Sequence, residues 1–95
     1  MIHILARITF KPDAAASART ILMRLVEQSR QEAGCVSYEL YQQQAAPHVF
    51  QTVEQWRDQD SADAHMKTPH IAAAIAAAAS IFAAPPEILS YDKLA

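Results

Sequence analysis

A chain of 95 residues has room for one hydrophobic core, and here 52% of the residues are hydrophobic, 19% are charged and the net charge is −2. That balance leaves no basic stripe for a nucleic acid. The single cysteine, Cys35, excludes an internal disulfide framework and a cysteine-based zinc site.

A domain this small hides only roughly 60–70% of its unfolded surface, so a homodimer that buries more is expected. No secretory leader is expected either, because Arg7 interrupts the first apolar run too early. The longest apolar stretch, residues 71–84, is mostly alanine, too short to span a bilayer and closed by Pro85-Pro86. The expectation is one cytoplasmic domain over residues 1–95, with no membrane partner.

Residues 2–10 alternate. Ile2, Ile4, Ala6, Ile8 and Phe10 share one face, and His3, Leu5, Arg7 and Thr9 the other, which predicts a strand with one buried side. Lys11-Pro12-Asp13 breaks the strand, with Asp13 expected to cap a helix over 14–33. In that helix Ala18, Ile21, Leu22, Leu25, Val26 and Ser29 recur at three- and four-residue spacing. Gly34, the only glycine, stands where the helix should end and is expected to take a positive φ there.

A second strand is predicted over 35–43, with Val36, Tyr38 and Leu40 on one face, and a third over 48–56, with Phe50, Thr52, Glu54 and Trp56 on one face. Gln44-Ala45-Ala46-Pro47 turns between them, making an antiparallel hairpin. Asp58 or Ser61 is placed to cap a short helix within 57–67, and Pro69 suits the first turn of an alanine-rich helix running to residue 83. Alternation resumes over 87–94 in a fourth, less apolar strand.

The order is β-α-β-β-α-β, an α+β ferredoxin-like pattern whose antiparallel four-stranded sheet carries its helices on one side. Too many apolar groups remain for the other side to face water. A second copy packed sheet to sheet would cover it, and a cavity on that uncovered face becomes the natural ligand site.

Taken in order, Lys11-Pro12, then Glu32-x-Gly34-Cys35-x-x-Tyr38, then Phe50-x3-Glu54-x-Trp56, then His65-x3-Pro69-His70 resemble the antibiotic biosynthesis monooxygenase domain family. The resemblance covers nearly the whole chain, with Asp13 in place of the family's usual glycine. It implies a dimeric α+β barrel with a pocket in each protomer between sheet and helices. Family members include quinol monooxygenases and anthrone oxygenases that use O2 without metal, flavin or haem. Others degrade haem or isomerise a small phosphorylated sugar.

The residue chemistry suits the cofactor-free branch. A deprotonated electron-rich phenol donates electrons to O2 by itself, so the protein must supply an apolar slot, a base and exclusion of water. The resemblance puts His65 on the short helix, facing the pocket, as the candidate base. Glu54 is the candidate to orient it and stabilise its cation. Phe50, Trp56, Tyr38 and Tyr41 are candidate walls and hydroxyl contacts. Arg7 and His3 would hold a phenolate if their strand face lined the cavity. His70 is a further candidate contact, although fixing the helix break at Pro69 is the blander reading. Cys35 is expected to pack as a small apolar group.

Four histidines leave a His/carboxylate metal site open, but no spacing announces one, and neither metal nor cofactor is expected. The chain has no asparagine. Haem-degrading members of the family use an asparagine with a tryptophan and a histidine, so that branch is disfavoured. Two alternatives to the oxygenase stay open: a non-catalytic dimer holding an aromatic metabolite, and a sugar-phosphate isomerase using Lys67 and Arg57.

Overall fold

The computed structural model describes residues 1–95. Strand β1 (Ile2–Thr9) leads through a 3-10 turn at Pro12–Ala14 into helix α1 (Ala15–Arg30). A hairpin of β2 (Cys35–Gln42) and β3 (Val49–Trp56) follows, then helices α2 (Gln59–His65) and α3 (Pro69–Ala78), and the edge strand β4 (Glu87–Tyr91). The sheet order is β2-β3-β1-β4, antiparallel throughout. This is the expected ferredoxin-like topology, with its second helical segment split in two.

The split has a local cause. Asp58 caps α2 by accepting a 2.8 Å hydrogen bond from the backbone N–H of Ser61. Thr68 then caps α3 by accepting from Ile71 N–H, with Pro69 in the first turn. Two caps ten residues apart make two helices. No helix is long and apolar enough to cross a membrane.

One side of the sheet holds the core. Ile8, Phe10, Ala18, Leu22, Leu25, Phe50, Ile71 and Ala78 form one cluster, and Ile4, Val26, Tyr38, Trp56 and Ala62 a second beside it. The alternation in β1 and β3 therefore reads correctly. In β2 it does not: the register slips between Cys35 and Ser37, so Cys35 pairs with Trp56 and Ser37 with Gln55. The extra residue is Val36, which stands exposed instead of sharing a face with Tyr38.

Several expected boundaries also move. Asp13 makes no capping hydrogen bond, because it lies inside the 3-10 turn and Ala14 precedes the helix. Helix α1 stops at Arg30, where the chain turns through Glu32 N–H to Ser29 O and Cys35 N–H to Glu32 O.

Gly34 has no positive φ. It is required for closeness: a Cβ there would overlap the Ser61 side chain of α2, which packs directly on it. Helix α3 ends at Ala78 instead of running to 83, because Phe82 stacks on Phe10 with ring centroids 5.4 Å apart. Backbone bonds from Lys11 N–H to Ile81 O and from Ala83 N–H to Thr9 O hold that segment on β1. Strand β4 stops at Tyr91, opposite His3.

Candidate active site

Between the sheet and the helices lies a cavity of about 120 Å³. Its walls are mainly apolar, from Ile4, Ile8 and Phe10 of the first strand region and Leu22, Ile71 and Ala78 of the helices. Met66, Ile75 and Ile88 also line it and are each roughly half exposed, so it opens between the helices and the β4 edge. Its polar side chains are Tyr38, Thr52, Glu54 and His65.

His65 ends α2 and is 3% exposed. Its ring lies 4.4 Å from the Trp56 ring, centroid to centroid, at 34°, and 5.6 Å from the Tyr38 ring. Nδ1 is 2.6 Å from Glu32 Oε2. A carboxylate oxygen only accepts, so Nδ1 carries the proton and donates it. In the neutral ring Nε2 is then an unprotonated acceptor, and no protein group bonds to it.

His70 follows Pro69 at the start of α3 and donates from Nε2 to the same Glu32 oxygen, at 2.7 Å. One carboxylate thus orients two imidazoles. All three ligand atoms lie within 4.8 Å of one another.

Glu54 is not the partner of His65. Its Oε1 accepts from Trp56 Nε1–H at 2.9 Å and its Oε2 from the Thr52 hydroxyl at 2.7 Å. Thr52 Oγ1 in turn accepts from Ala6 N–H at 3.2 Å. Alternation explains this chain: Thr52, Glu54 and Trp56 are i, i+2 and i+4 on one face of β3. The buried carboxyl group is matched to a donor on each oxygen.

Tyr38 sits opposite Glu54 in the β2–β3 register. Burial, reinforced by the Glu54 charge, pushes its phenol well above the usual value. Its hydroxyl therefore stays protonated and is a donor at any physiological pH. Burial, aided by the charges of Glu32 and Glu54, likewise raises the Cys35 thiol, which disfavours the nucleophilic thiolate.

The other candidates fall elsewhere. Trp56 is fully buried behind His65, and Phe50 packs edge-on against Phe10 at 5.7 Å; neither lines the cavity. Arg7 and His3 are on the opposite side of the sheet, as is Tyr41, whose hydroxyl donates to Glu39 at 3.4 Å. His70 lines a groove between α1 and α3, outside the cavity. All six thus lie outside the cavity lining: Phe50 and Trp56 pack into the core beside it, strand parity turns Arg7, His3 and Tyr41 to the other side of the sheet, and His70 occupies the other edge of the helices.

Glu32, Thr52, Met66 and Ile88 were not picked out from the sequence as site residues. Only Glu32 carried a signal, as the acid of the Glu32-x-Gly34-Cys35 block.

The model of the antibiotic biosynthesis monooxygenase family matches residues 1–77. This chain belongs to the antibiotic biosynthesis monooxygenase family. Among solved structures, one described as an antibiotic biosynthesis monooxygenase superposes with a TM-score of 0.93 at 26% identity, covering 100% of both chains. PA3566 from Pseudomonas aeruginosa gives 0.91 at 32% identity over 99% of this chain and 94% of its own.

The uncharacterised Synechocystis protein sll1783 is 30% identical over 90 residues, which are 95% of this chain but 61% of that one. The chain thus spans about three fifths of that relative's length. YcnE of Bacillus subtilis, provisionally described as a monooxygenase, is 27% identical over 89 residues, 94% of each chain. Within the antibiotic biosynthesis monooxygenase family, then, this chain pairs an apolar cavity with a carboxylate-oriented histidine.

Proposed function

We propose that the protein is a cofactor-independent monooxygenase that oxidises a quinol or polycyclic phenol with O2. The observation that carries this reading is the 2.6 Å contact between His65 Nδ1 and Glu32 on a ring that lines an apolar cavity: with Nδ1–H committed to the carboxylate, Nε2 is the nitrogen left to accept a proton. A neutral imidazole there accepts the phenolic proton, and the Glu32 carboxylate stabilises the imidazolium that forms. The phenolate, out of water among aliphatic side chains, is a strong electron donor to O2. The Tyr38 hydroxyl is a donor for the substrate oxygen.

For a naphthoquinol the step balances without an external reductant. One oxygen atom of O2 enters a ring C–H position, and the other leaves as water with two hydrogens lost by the substrate. The product is a hydroxyquinone.

Two features support this over an isomerase of phosphorylated sugars. The cavity lining includes no lysine or arginine, and Lys67 and Arg57 lie outside it. An apolar slot suits a planar ring better than a phosphate. We also propose a homodimer, in which a second copy covers the open sheet side where Tyr41, Leu89 and Tyr91 are about half exposed. A cytoplasmic location completes the reading.

The test is aerobic oxidation of a reduced naphthoquinol by chelator-treated protein, followed by absorbance and oxygen uptake against the uncatalysed rate. Saturable turnover that falls by about 10²–10⁴ in His65→Ala, with substrate binding retained, is expected for a general base. Turnover equal in wild type and His65→Ala would sink the assignment. Binding with no turnover of a panel of quinols and anthrones would leave a carrier of aromatic metabolites.

A further inference from the structure

His70 has no place in the proton transfer just described. It lies outside the cavity, yet its Nε2 is aimed at the same Glu32 oxygen that His65 uses. The three side chains come from separate places: the turn after α1, the last residue of α2, and the second residue of α3. Orienting His65 requires only Glu32, so a second imidazole on that oxygen asks for its own explanation.

We propose that Glu32, His65 and His70 form a binding site for a divalent transition-metal ion of the zinc class, on the edge of the His65 ring turned away from the cavity. Two imidazoles and one carboxylate are a recurrent donor set for zinc, with a remaining position left for water. Imidazole nitrogen suits zinc, copper, iron or nickel, and disfavours magnesium and calcium.

The three donor atoms already lie within 4.8 Å of one another. The nitrogen–oxygen distances of 2.6 and 2.7 Å are those of hydrogen bonds. Donors about 2.0–2.1 Å from a tetrahedral ion sit roughly 3.3 Å apart, so loading asks each imidazole to draw back from Glu32 by roughly 0.6–0.7 Å. The side chains of Glu32 and His70 are 15% and 16% exposed, sheltered but reachable. A groove of about 360 Å³ between α1 and α3, lined by Gln28 and His70, reaches the His70 ring from solvent.

Loading requires the ligating nitrogens to give up their protons, so affinity falls as pH is lowered. An ion on Nδ1 also leaves the remaining ring proton on Nε2, which makes the loaded site and the basic His65 mutually exclusive. Metal binding itself does not depend on the oxygenase reading.

The experiment is calorimetric titration of chelator-stripped protein with Zn²⁺, beside Co²⁺ titration followed by visible absorption. One ion per chain with micromolar or tighter affinity is expected, together with the intense visible bands of low-coordinate cobalt. His70→Gln and Glu32→Gln should each weaken Zn²⁺ by at least about tenfold, while His48→Gln, at the far end of the β2–β3 hairpin, should not. Circular dichroism establishes that each variant is folded. No saturable uptake at millimolar Zn²⁺, or undiminished affinity in folded His70→Gln, overturns the site.

Discussion

His65 Nδ1 lies 2.6 Å from Glu32 Oε2 across 33 residues of sequence, and this one contact sets which ring nitrogen carries the proton. A donor hydrogen bond at Nδ1 makes Nε2 the acceptor. The carboxylate is itself placed by the turn that follows α1, and that turn is pinned by Gly34 against α2.

Glu32→Gln should therefore behave as a positioning defect. The amide can still bond one imidazole but no longer stabilises an imidazolium. Quinol turnover is expected to drop by about ten- to a hundredfold in kcat with little change in KM. Its pH–rate profile should shift as well, which a purely structural change would not produce. An unaltered profile with normal kcat would remove Glu32 from the reaction.

Gly34→Ala is expected to destabilise the fold by about 1–3 kcal/mol, since the new methyl meets Ser61 Cβ and Oγ. Backbone strain does not contribute, because φ is not positive. Ser61→Gly removes both clashing atoms, so the double variant should be more stable than the sum of the singles. Urea denaturation of the four proteins measures the coupling; strict additivity would refute the close-contact account.

Trp56→Phe deletes the indole N–H that Glu54 Oε1 accepts, leaving a buried carboxylate oxygen without its donor. A loss of about 2–4 kcal/mol follows from the missing bond to a charged group and the unfilled volume. Thermal and urea unfolding would show it, and a change below about half a kcal/mol would mean that Glu54 finds another donor.

Tyr38 supplies a pH signature. Its folded phenol titrates above the unfolded value of about 10, so between those two values the unfolded chain has lost a proton that the native one keeps. Stability from this group is thus complete below about pH 10 and is lost as pH rises above it, at up to about 1.4 kcal/mol per unit. In Tyr38→Phe the alkaline limb should flatten, and the tyrosinate absorbance that appears only with unfolding should be missing.

The order of elements, the buried faces of β1 and β3, and the grouping of Tyr38, Glu54 and His65 in one neighbourhood are legible in the chain's residues alone. Those are matters of period and of short motifs, which act locally. The sequence alone misplaced the partner of His65 because Glu54 and Glu32 are equally plausible carboxylates on paper. The β3 alternation in fact commits Glu54 to Trp56 and Thr52.

Tertiary structure decided the rest. The end of α3 is set by Phe82 meeting Phe10 and by backbone bonds to β1, which override the helix propensity of alanine. Val36 is turned outward by a bulge that only strand pairing reveals. The convergence of Glu32, His65 and His70 depends on three chain segments docking, and no local periodicity encodes where a turn after one helix will meet the ends of two others.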